Sequence, residues 1–218
     1  MLAGVIERAD VRDVIVTKDG TALKRFSEGA VVGTGSLRRE LQIRSVNPKI
    51  EVKQIRGNVQ TRLQKLADGQ YDAIVLAAAG LERLMDNEND TFDYRQFKYE
   101  YLDTETVLPA AGQAVIAIET CEKNTNMRNM LEAISDIDTW RCLEAERRFL
   151  ECIGGGCNAP AAAYAKIEGS KMMMDAMYVP EGSLAIHKLS RTTSKINGYM
   201  MGEMMAKLLL ENEELSYE

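Results

Sequence analysis

Three short apolar runs, each followed closely by a helix-forming stretch, constrain the fold of this chain more than any other feature. The runs lie at residues 30–32, 50–55 and 73–77. Apolar residues recur at helical spacing after them, as in residues 59–66. Strands that alternate with helices through short links are typical of a parallel, doubly wound sheet. We therefore expect an α/β domain in the first half of the chain.

The second half of the chain has a different pattern. Residues 86–105 hold seven acidic and two basic residues, which predicts a solvated surface insertion with some helix. The later predicted elements follow in chain order: a strand at 115–118, helices at 127–134 and 138–151, strands at 161–167, 171–178 and 183–189, and a helix at 198–212. The last five of these predict a second, small α+β domain.

Composition argues against several classes of function. The formal net charge of −6 disfavours a general binder of nucleic acid or of a membrane surface, and no apolar run approaches the ~18 residues of a spanning helix. The single histidine, His187, disfavours a histidine-dependent triad or a multi-histidine site, so no metal is predicted. The four cysteines form no C-x-x-C pair, which favours a reduced, cytoplasmic protein with Cys121, Cys142 and Cys152 as small buried hydrophobes.

Arginines follow each of the three predicted strands. Arg38 and Arg39 come after the first strand, Arg56 after the second and Arg83 after the third. Arg62 lies about one and a half helical turns beyond Arg56. Open parallel sheets bind ligands at the carboxyl ends of their strands, and guanidinium groups bind carboxylates or phosphates bidentately. The pattern favours a crevice for a small polyanion; the alternative is that these arginines are solvated residues on helix faces.

A glycine-containing turn, Gly33-Thr34-Gly35-Ser36, links the first strand to its helix. Ser36 is a candidate N-cap, and the turn amides would add donors for an anion at the helix N-terminus. The spacing of glycine and lysine fits neither a Walker motif nor a dinucleotide fingerprint.

A second glycine run, residues 154–156, precedes Cys157. It puts a thiol on a loop directly after a helix, where backbone can approach a ligand closely. From the residues alone, Cys157 is equally a reactive, ligand-facing thiol or a small buried hydrophobe.

Five segments of the chain, in order and at matching spacing, resemble the porphobilinogen deaminase (hydroxymethylbilane synthase) family. They are GTGSLRRE (33–40), IRGNVQTRLQKL (55–66), YDAIVLAAAGLERL (71–84), LPAAGQAVIAIE (108–119) and RRFLECIGGGCNAPAAAYA (147–165). The resemblance covers nearly the whole chain, and five segments in register are highly specific.

The resemblance implies two domains like those of periplasmic binding proteins and a small third domain that carries a cysteine. It implies that a dipyrromethane cofactor is attached through a thioether to Cys157, and that arginines hold the acidic side chains of the cofactor and of the growing chain. The cofactor-binding residues that it implies are Cys157, Thr34, Gly35, Ser36, Arg38, Arg39, Arg56, Arg62, Ala77, Gly80 and Arg83. The implied substrate is porphobilinogen, of which four units are joined to hydroxymethylbilane with release of ammonia.

The resemblance also assigns parts of the chain to family domains. Residues 1–10 match the passage out of the first domain, 11–108 the second domain, 109–136 a returning segment of the first domain, and 137–218 the third domain. Most of the first domain, with the family's catalytic aspartate, has no match, so we assign no catalytic residue in this chain.

Three interpretations follow. The chain is a deaminase portion that is incomplete for catalysis alone, or a non-catalytic module that binds a carboxylate or pyrrole. A more distant one is a solute-binding domain with a structural cysteine. A separate first-domain chain is the expected partner, or self-association through an orphaned strand near Val115.

Overall fold

A computed structural model describes residues 1–154 and 160–214. Contacts divide the chain into two units. The sheet unit consists of Asp10–Pro109, and the C-terminal unit includes Met1–Ala9 together with residues 110–154 and 161–214. No helix within the described residues is both long enough and apolar enough to cross a membrane.

The described chain alternates strands and helices, with short 3₁₀ turns between some of them. The strands are β1 (Leu2–Val5), β2 (Asp13–Thr17), β3 (Val31–Gly33), β4 (Glu51–Lys53), β5 (Ala73–Ala77), β6 (Lys98–Leu102), β7 (Ala117–Glu119), β8 (Ala161–Glu168), β9 (Lys171–Tyr178) and β10 (His187–Ser194). The helices are α1 (Leu37–Val46), α2 (Val59–Ala67), α3 (Ala78–Met85), α4 (Thr125–Ile134), α5 (Ile137–Ile153) and α6 (Gly198–Glu214).

The sheet unit is built on five strands in the order β4-β3-β5-β2-β6. Strand β3 is parallel to both β4 and β5, as the strand–helix alternation predicts. Strand β2 runs antiparallel to β5 and to β6, so the sheet is mixed. The α/β class of this unit is therefore confirmed.

Side chains of β2 and β5 alternate between two apolar cores. Val14 and Val16 lie in one core with Leu63 of α2 and Leu81 of α3. The residue between them, Ile15, points to the other core. Successive residues of a strand face opposite sides of its sheet, so helices cover both faces and the central strands are buried throughout.

Most of residues 86–93 are exposed, as predicted for a solvated insertion, but the prediction is wrong for the end of the range 86–105. Residues 98–102 form β6, an edge strand paired with β2 from Lys98↔Thr17 to Leu102↔Asp13. Tyr94 and Phe97, just before it, are buried in the sheet unit. The acidic residues lie between aromatic ones, and burial of those aromatic side chains determines where the segment packs.

The C-terminal unit contains the predicted α+β arrangement. Strands β8, β9 and β10 form an antiparallel sheet in the order β10-β9-β8, and α5 and α6 pack together. A Cβ at Gly202 of α6 would collide with the carbonyl of Ala145 in α5, so glycine permits this close helix packing. The third strand lies at His187–Ser194, later than the predicted 183–189.

The remaining part of the C-terminal unit is a two-stranded ribbon followed by α4. Strand β7 pairs antiparallel with β1, so the strand predicted near Val115 is not orphaned. Helix α4 has no buried residue, and its apolar side chains Met127, Met130 and Ile134 are exposed. The apolar surface without a partner here therefore lies on the helix.

Candidate anion site at the edge of the sheet

Three helices begin at one edge of the sheet unit. Helices α1 and α3 follow the carboxyl ends of β3 and β5 directly, and α2 follows β4 after a short loop. Because β2 is antiparallel, its first residue, Asp13, lies at this same edge, opposite Ala77. Helix N-termini attract anions, and here a carboxylate already lies among them.

Asp13 is a buried carboxylate shared by two neighbouring arginines. Its Oδ1 accepts hydrogen bonds from Arg39 Nε and Nη2 at 3.0 and 2.7 Å. Its Oδ2 lies 2.8 Å from Arg38 Nη2. Within the part of the chain that the structure describes, one negative charge is therefore paired with two positive charges, which leaves a surplus of positive charge.

Arg38 is more deeply buried than the sequence analysis expects for an arginine that faces an open crevice. Only 4% of it is exposed, and its Nη1 donates to the carbonyl oxygen of Leu108 at 2.6 Å. Burial lowers the pKa of Arg38, and the charge of Asp13 opposes that effect. Arg38 is thus not a solvated residue of a helix face.

Arg62 adds a third positive charge, next to Arg39. Its pKa is lowered first by partial burial and then by the positive charge of Arg39, so the two guanidinium groups are close enough to repel each other. Arg62 Nε donates to the carbonyl oxygen of Gly57 at 2.7 Å, which folds the side chain back toward the start of α2. Arg56 and Arg83 are exposed, and no described contact joins them to this cluster.

The turn before α1 has the predicted cap. Ser36 Oγ accepts from the Arg39 amide at 3.5 Å, and Thr34 Oγ1 accepts from the Ser36 amide at 3.2 Å. Thr34 is buried, and its amide donates to the carbonyl oxygen of Lys53. A Cβ at Gly35 would lie 3.3 Å from the carbonyl oxygen of Ile55, so the turn packs tightly against the neighbouring strand end.

Helix α3 begins differently from the other two. Asn58 caps α2 through its side chain, as Ser36 caps α1, but Ala77 has no side chain that could cap α3. The Ala78 amide donates to the carbonyl oxygen of Arg12, and the next amides of the first turn have no acceptor within the helix. A Cβ at Gly80 would meet nothing within 4 Å, so this helix start borders open space.

Cys157 lies outside the described residues. Of the other cysteines, Cys142 is buried as predicted, Cys152 is half-buried and Cys121 is exposed, so the expectation of a buried hydrophobe is wrong for Cys121. Burial raises the pKa of Cys142 to about 12, with the charge of Glu146 adding to the rise. Among the described residues, no cluster of histidine, cysteine and acidic side chains could hold a metal ion.

The sequence analysis missed Asp13 and Gln42, which the structure brings to Arg38. Gln42 is fully buried, and its side-chain amide bonds both backbone polar groups of Leu108. A signal for Asp13 existed: it directly precedes the apolar run Val14-Ile15-Val16, which is typical of a buried strand. Gln42 lies four residues after Arg38, a spacing that places both on one face of α1. Nothing in the sequence indicates that they share Leu108 as a partner.

The chain matches known families along most of its length. A family model for "Porphobilinogen deaminase, dipyromethane cofactor binding domain" matches residues 1–129, more than half of the chain. The chain belongs to the porphobilinogen deaminase family. A second model, for the porphobilinogen deaminase C-terminal domain, matches residues 140–211.

Curated porphobilinogen deaminases are similar over almost all of this chain but extend beyond it. The enzyme of Oceanobacillus iheyensis is 37% identical over 210 residues, which are 96% of this chain and 65% of the relative. That of Bordetella parapertussis is 41% identical over 209 residues, 96% of this chain and 64% of the relative. The chain therefore spans just under two thirds of the length of these porphobilinogen deaminases.

Solved structures that match part of this chain include binding proteins of transporters. A substrate-binding protein of an amino acid ABC transporter has a TM-score of 0.35 and 20% identity, covering 60% of this chain and 56% of that one. A periplasmic binding protein of Salmonella typhimurium with high arginine specificity has a TM-score of 0.36 and 12% identity, covering 62% of this chain and 55% of that one.

Proposed function

We propose that this chain is the part of a porphobilinogen deaminase that holds the dipyrromethane cofactor and the carboxylates of the growing pyrrole chain. The reaction joins four porphobilinogen units to hydroxymethylbilane with release of ammonia, in cytoplasmic tetrapyrrole biosynthesis. The observation that carries the proposal is the surplus of positive charge at the sheet edge, where a single buried carboxylate, Asp13, pairs with Arg38 and Arg39 and a third arginine lies near.

A surplus of positive charge around a buried carboxylate favours a ligand with several carboxylates. Guanidinium groups taken out of water are costly unless they are paired, and Asp13 supplies only one negative charge for three arginines. A bound carboxylate would restore the balance and would accept bidentate hydrogen bonds from Arg39 or Arg62. Arg38 then acts as a support, because its donors already go to Asp13 and Leu108.

The other predicted residues have defined parts in this proposal. The uncapped start of α3 would donate its first-turn amides to a second carboxylate, with Ala77 and Gly80 leaving room for it. Thr34, Gly35 and Ser36 hold the start of α1 against the neighbouring strand end. Arg56 and Arg83, which are exposed, would bind carboxylates as the pyrrole chain lengthens.

The donor set fits a dipyrromethane, whose acidic side chains need several cationic partners. We propose attachment through the sulfur of Cys157. When bound, this group would supply an electron-rich pyrrole as the nucleophile that extends the chain. The residues described here would bind and orient its carboxylates, and the fixed guanidinium charges require no rearrangement during the reaction.

We propose that catalysis also needs the part of the family sequence that this chain does not match. Helix α4, with no buried residue, presents Met130 and Ile134 at 65% and 66% exposure. An apolar groove of ≈ 340 Å³, lined in part by Leu2, Ile137 and Trp140, adjoins the same segment. A separate first-domain chain is the occupant we propose, and self-association of this chain is the alternative.

Mass spectrometry of the purified chain tests the cofactor. We expect a dipyrromethane adduct that disappears in Cys157→Ser and persists in the matched control Cys152→Ser. An adduct retained in Cys157→Ser would contradict attachment at that sulfur. An unmodified wild-type thiol, together with porphobilinogen binding, would support the non-catalytic binding module instead.

Ammonia release from porphobilinogen tests activity and the partner together. We expect turnover only when a first-domain fragment of a relative is added, and we expect Met130→Glu to weaken that rescue about tenfold or more, because it puts a charge on the docking face. Asn129→Glu adds the same charge beside that face and is the control. Turnover by the isolated chain would contradict the need for a partner. The alternative, self-association, is tested by sedimentation, in which it would appear as a dimer that Met130→Glu dissociates.

A further inference from the structure

Helix α1 carries part of the proposed anion site. Its side chains also contact the sheet unit close to both points at which the chain passes between the units. The chain enters the sheet unit at Asp10 and leaves it at Pro109. Asp13 lies three residues after the entry, and Leu108 lies one residue before the exit. Both are held by side chains from one face of α1, those of Arg38 and Gln42.

Gln42 binds the peptide groups of Leu108 as a neighbouring strand would. Its Oε1 accepts from the Leu108 amide at 2.7 Å, and its Nε2 donates to the Leu108 carbonyl oxygen at 3.0 Å. The same Nε2 lies 3.3 Å from the carbonyl oxygen of Arg38. Gln42 is fully buried, so no water can replace these bonds without opening the core.

Arg38 connects this contact to the anion site. Its Nη1 shares the Leu108 carbonyl oxygen with Gln42, and its Nη2 holds Asp13 Oδ2 at 2.8 Å. The other oxygen of Asp13 binds Arg39, a residue of the proposed site. A continuous set of buried contacts therefore runs from Arg39 through Asp13 and Arg38 to Leu108.

We propose that Gln42 is a positioning residue that couples two events. These are the binding of an anion at the Asp13 cluster and the local opening of the segments around Asp13 and Leu108, near which the chain passes between the units. Release of Leu108 would free one side of Arg38, loosen its hold on Asp13 and disturb the orientation of Arg39. By reciprocity, an anion bound at Arg39 fixes Asp13 and Arg38 and so slows the opening of Leu108. The coupling rests on the proposed function only for the identity of the anion.

Amide hydrogen exchange in the ligand-free full chain tests the link without any ligand. Gln42→Met keeps the side-chain volume and removes the bonds to Leu108. We expect the Leu108 amide to exchange roughly tenfold faster, the factor that corresponds to losing one buried hydrogen bond. We also expect at least about threefold faster exchange at Asp13 and Arg39, each measured relative to the Ile74 amide in the core of β5.

Asn47→Leu is the matched control. Asn47, the C-cap residue of α1, has another buried side-chain amide, which bonds the carbonyl oxygens of Leu23 and Phe26 and the Lys49 amide. The variant Asn47→Leu should leave the exchange rates of the Leu108, Asp13 and Arg39 amides, measured relative to the Ile74 amide, as they are in the wild type. Acceleration confined to Leu108, or equal acceleration in the control, would overturn the proposal.

A second measurement adds the ligand, with porphobilinogen as the probe. We expect it to slow exchange at Leu108 in the wild type, and Gln42→Met to abolish that slowing and to weaken binding about tenfold. Retained slowing in Gln42→Met would overturn the coupling. If the wild type binds no porphobilinogen, the proposed function is contradicted. The exchange rates measured without ligand then still decide whether Gln42 connects Leu108 to Asp13 and Arg39. If Gln42→Met does not fold, Gln42→Asn, whose shorter amide cannot reach Leu108, gives the same readout.

Discussion

Asp13 and Glu146 are both fully buried carboxylates paired with arginine, one in each unit, and they differ in how the charge is balanced. Glu146 binds Arg8 through both carboxylate oxygens, at 2.5 and 3.1 Å, and accepts from the backbone amides of Gly112 and Ala165. Asp13 instead divides its two oxygens between two arginines. The Glu146 cluster is neutral and closed, whereas the Asp13 cluster has cations in excess.

The difference distinguishes a structural clamp from a ligand site. Burial raises the pKa of Glu146, while Arg8 and the two amides oppose the rise by binding the ionised form. Arg8 also donates to Gln113, so this cluster ties the first residues of the chain to α5 and β8. It has no capacity for a further anion. Among the described residues the Asp13 cluster has more arginines than carboxylates, and this is why we place the proposed function there.

The largest effect is expected at the neutral cluster. Glu146→Gln removes the charge that balances buried Arg8 and should lower the free energy of unfolding of the C-terminal unit by about 3–5 kcal/mol. Trp140, the single tryptophan, lies in the same helix and reports denaturant unfolding by fluorescence. The exposed neighbour Glu144→Gln is the control. A loss below about 1 kcal/mol in Glu146→Gln would contradict the clamp.

At the cation-rich cluster, Asp13→Asn should cost less, about 2–3 kcal/mol, because the amide still accepts hydrogen bonds and two of the three arginines are partly exposed. It should also make the sheet unit depend on added anions. We expect sulfate to raise the melting temperature of Asp13→Asn more than that of the wild type. Glu28→Gln, at an exposed acid of the same unit, should behave like the wild type, and equal sulfate effects in all three proteins would refute the charge surplus.

Arg39→Gln tests binding at the same cluster. We expect porphobilinogen affinity to fall about 10- to 30-fold, roughly 1.4–2 kcal/mol, because a charge-assisted bidentate contact is lost. The free energy of unfolding should also fall, by about 1–2 kcal/mol, because Asp13 keeps the Arg38 contact but loses the hydrogen bonds from Arg39; denaturant unfolding is therefore measured beside the titration. Arg44→Gln, on the same helix but paired with the partly exposed Glu40, is the control. A calorimetric titration that finds equal affinities for both variants would remove Arg39 from the site.

The smallest effect concerns Cys142, which lies beside Glu146 and whose folded pKa is raised to about 12 from an ordinary value near 9. Since the folded pKa is the higher one, stability is fully present below pH 9 and is lost as the pH rises toward 12. We expect about 1 kcal/mol to be lost by pH 10 in the wild type and not in Cys142→Ala. At pH 8, iodoacetamide should modify exposed Cys121 and leave native Cys142 unmodified. Rapid modification of Cys142 would show that the surroundings of Glu146 are accessible to solvent and contradict a closed cluster.

The sequence predicts the local parts of this fold better than their partners. The three strand–helix links and the Ser36 cap follow from apolar spacing and hydrogen bonding within a few residues. The pairing of Asp13 with Arg38 and Arg39 joins residues about 25 positions apart, and no local pattern encodes it. Strand β6 is hard to recognise because the acidic residues of the wider segment 86–105 dominate the composition, whereas the aromatic residues in and before the strand determine its packing. The roles of Cys157 and of the exposed arginines remain predictions from the family.

Ala77, the N-cap residue that precedes α3, has a consequence for how the sheet edge evolves or is redesigned. Serine or aspartate at position 77 would stabilise this helix by about 1 kcal/mol, since either side chain would accept the first-turn amides. The same substitution would close those amides to any incoming anion. Selection for thermal stability alone would therefore drive this position toward a residue that abolishes recognition, and a thermostabilised variant that retains activity should keep its alanine.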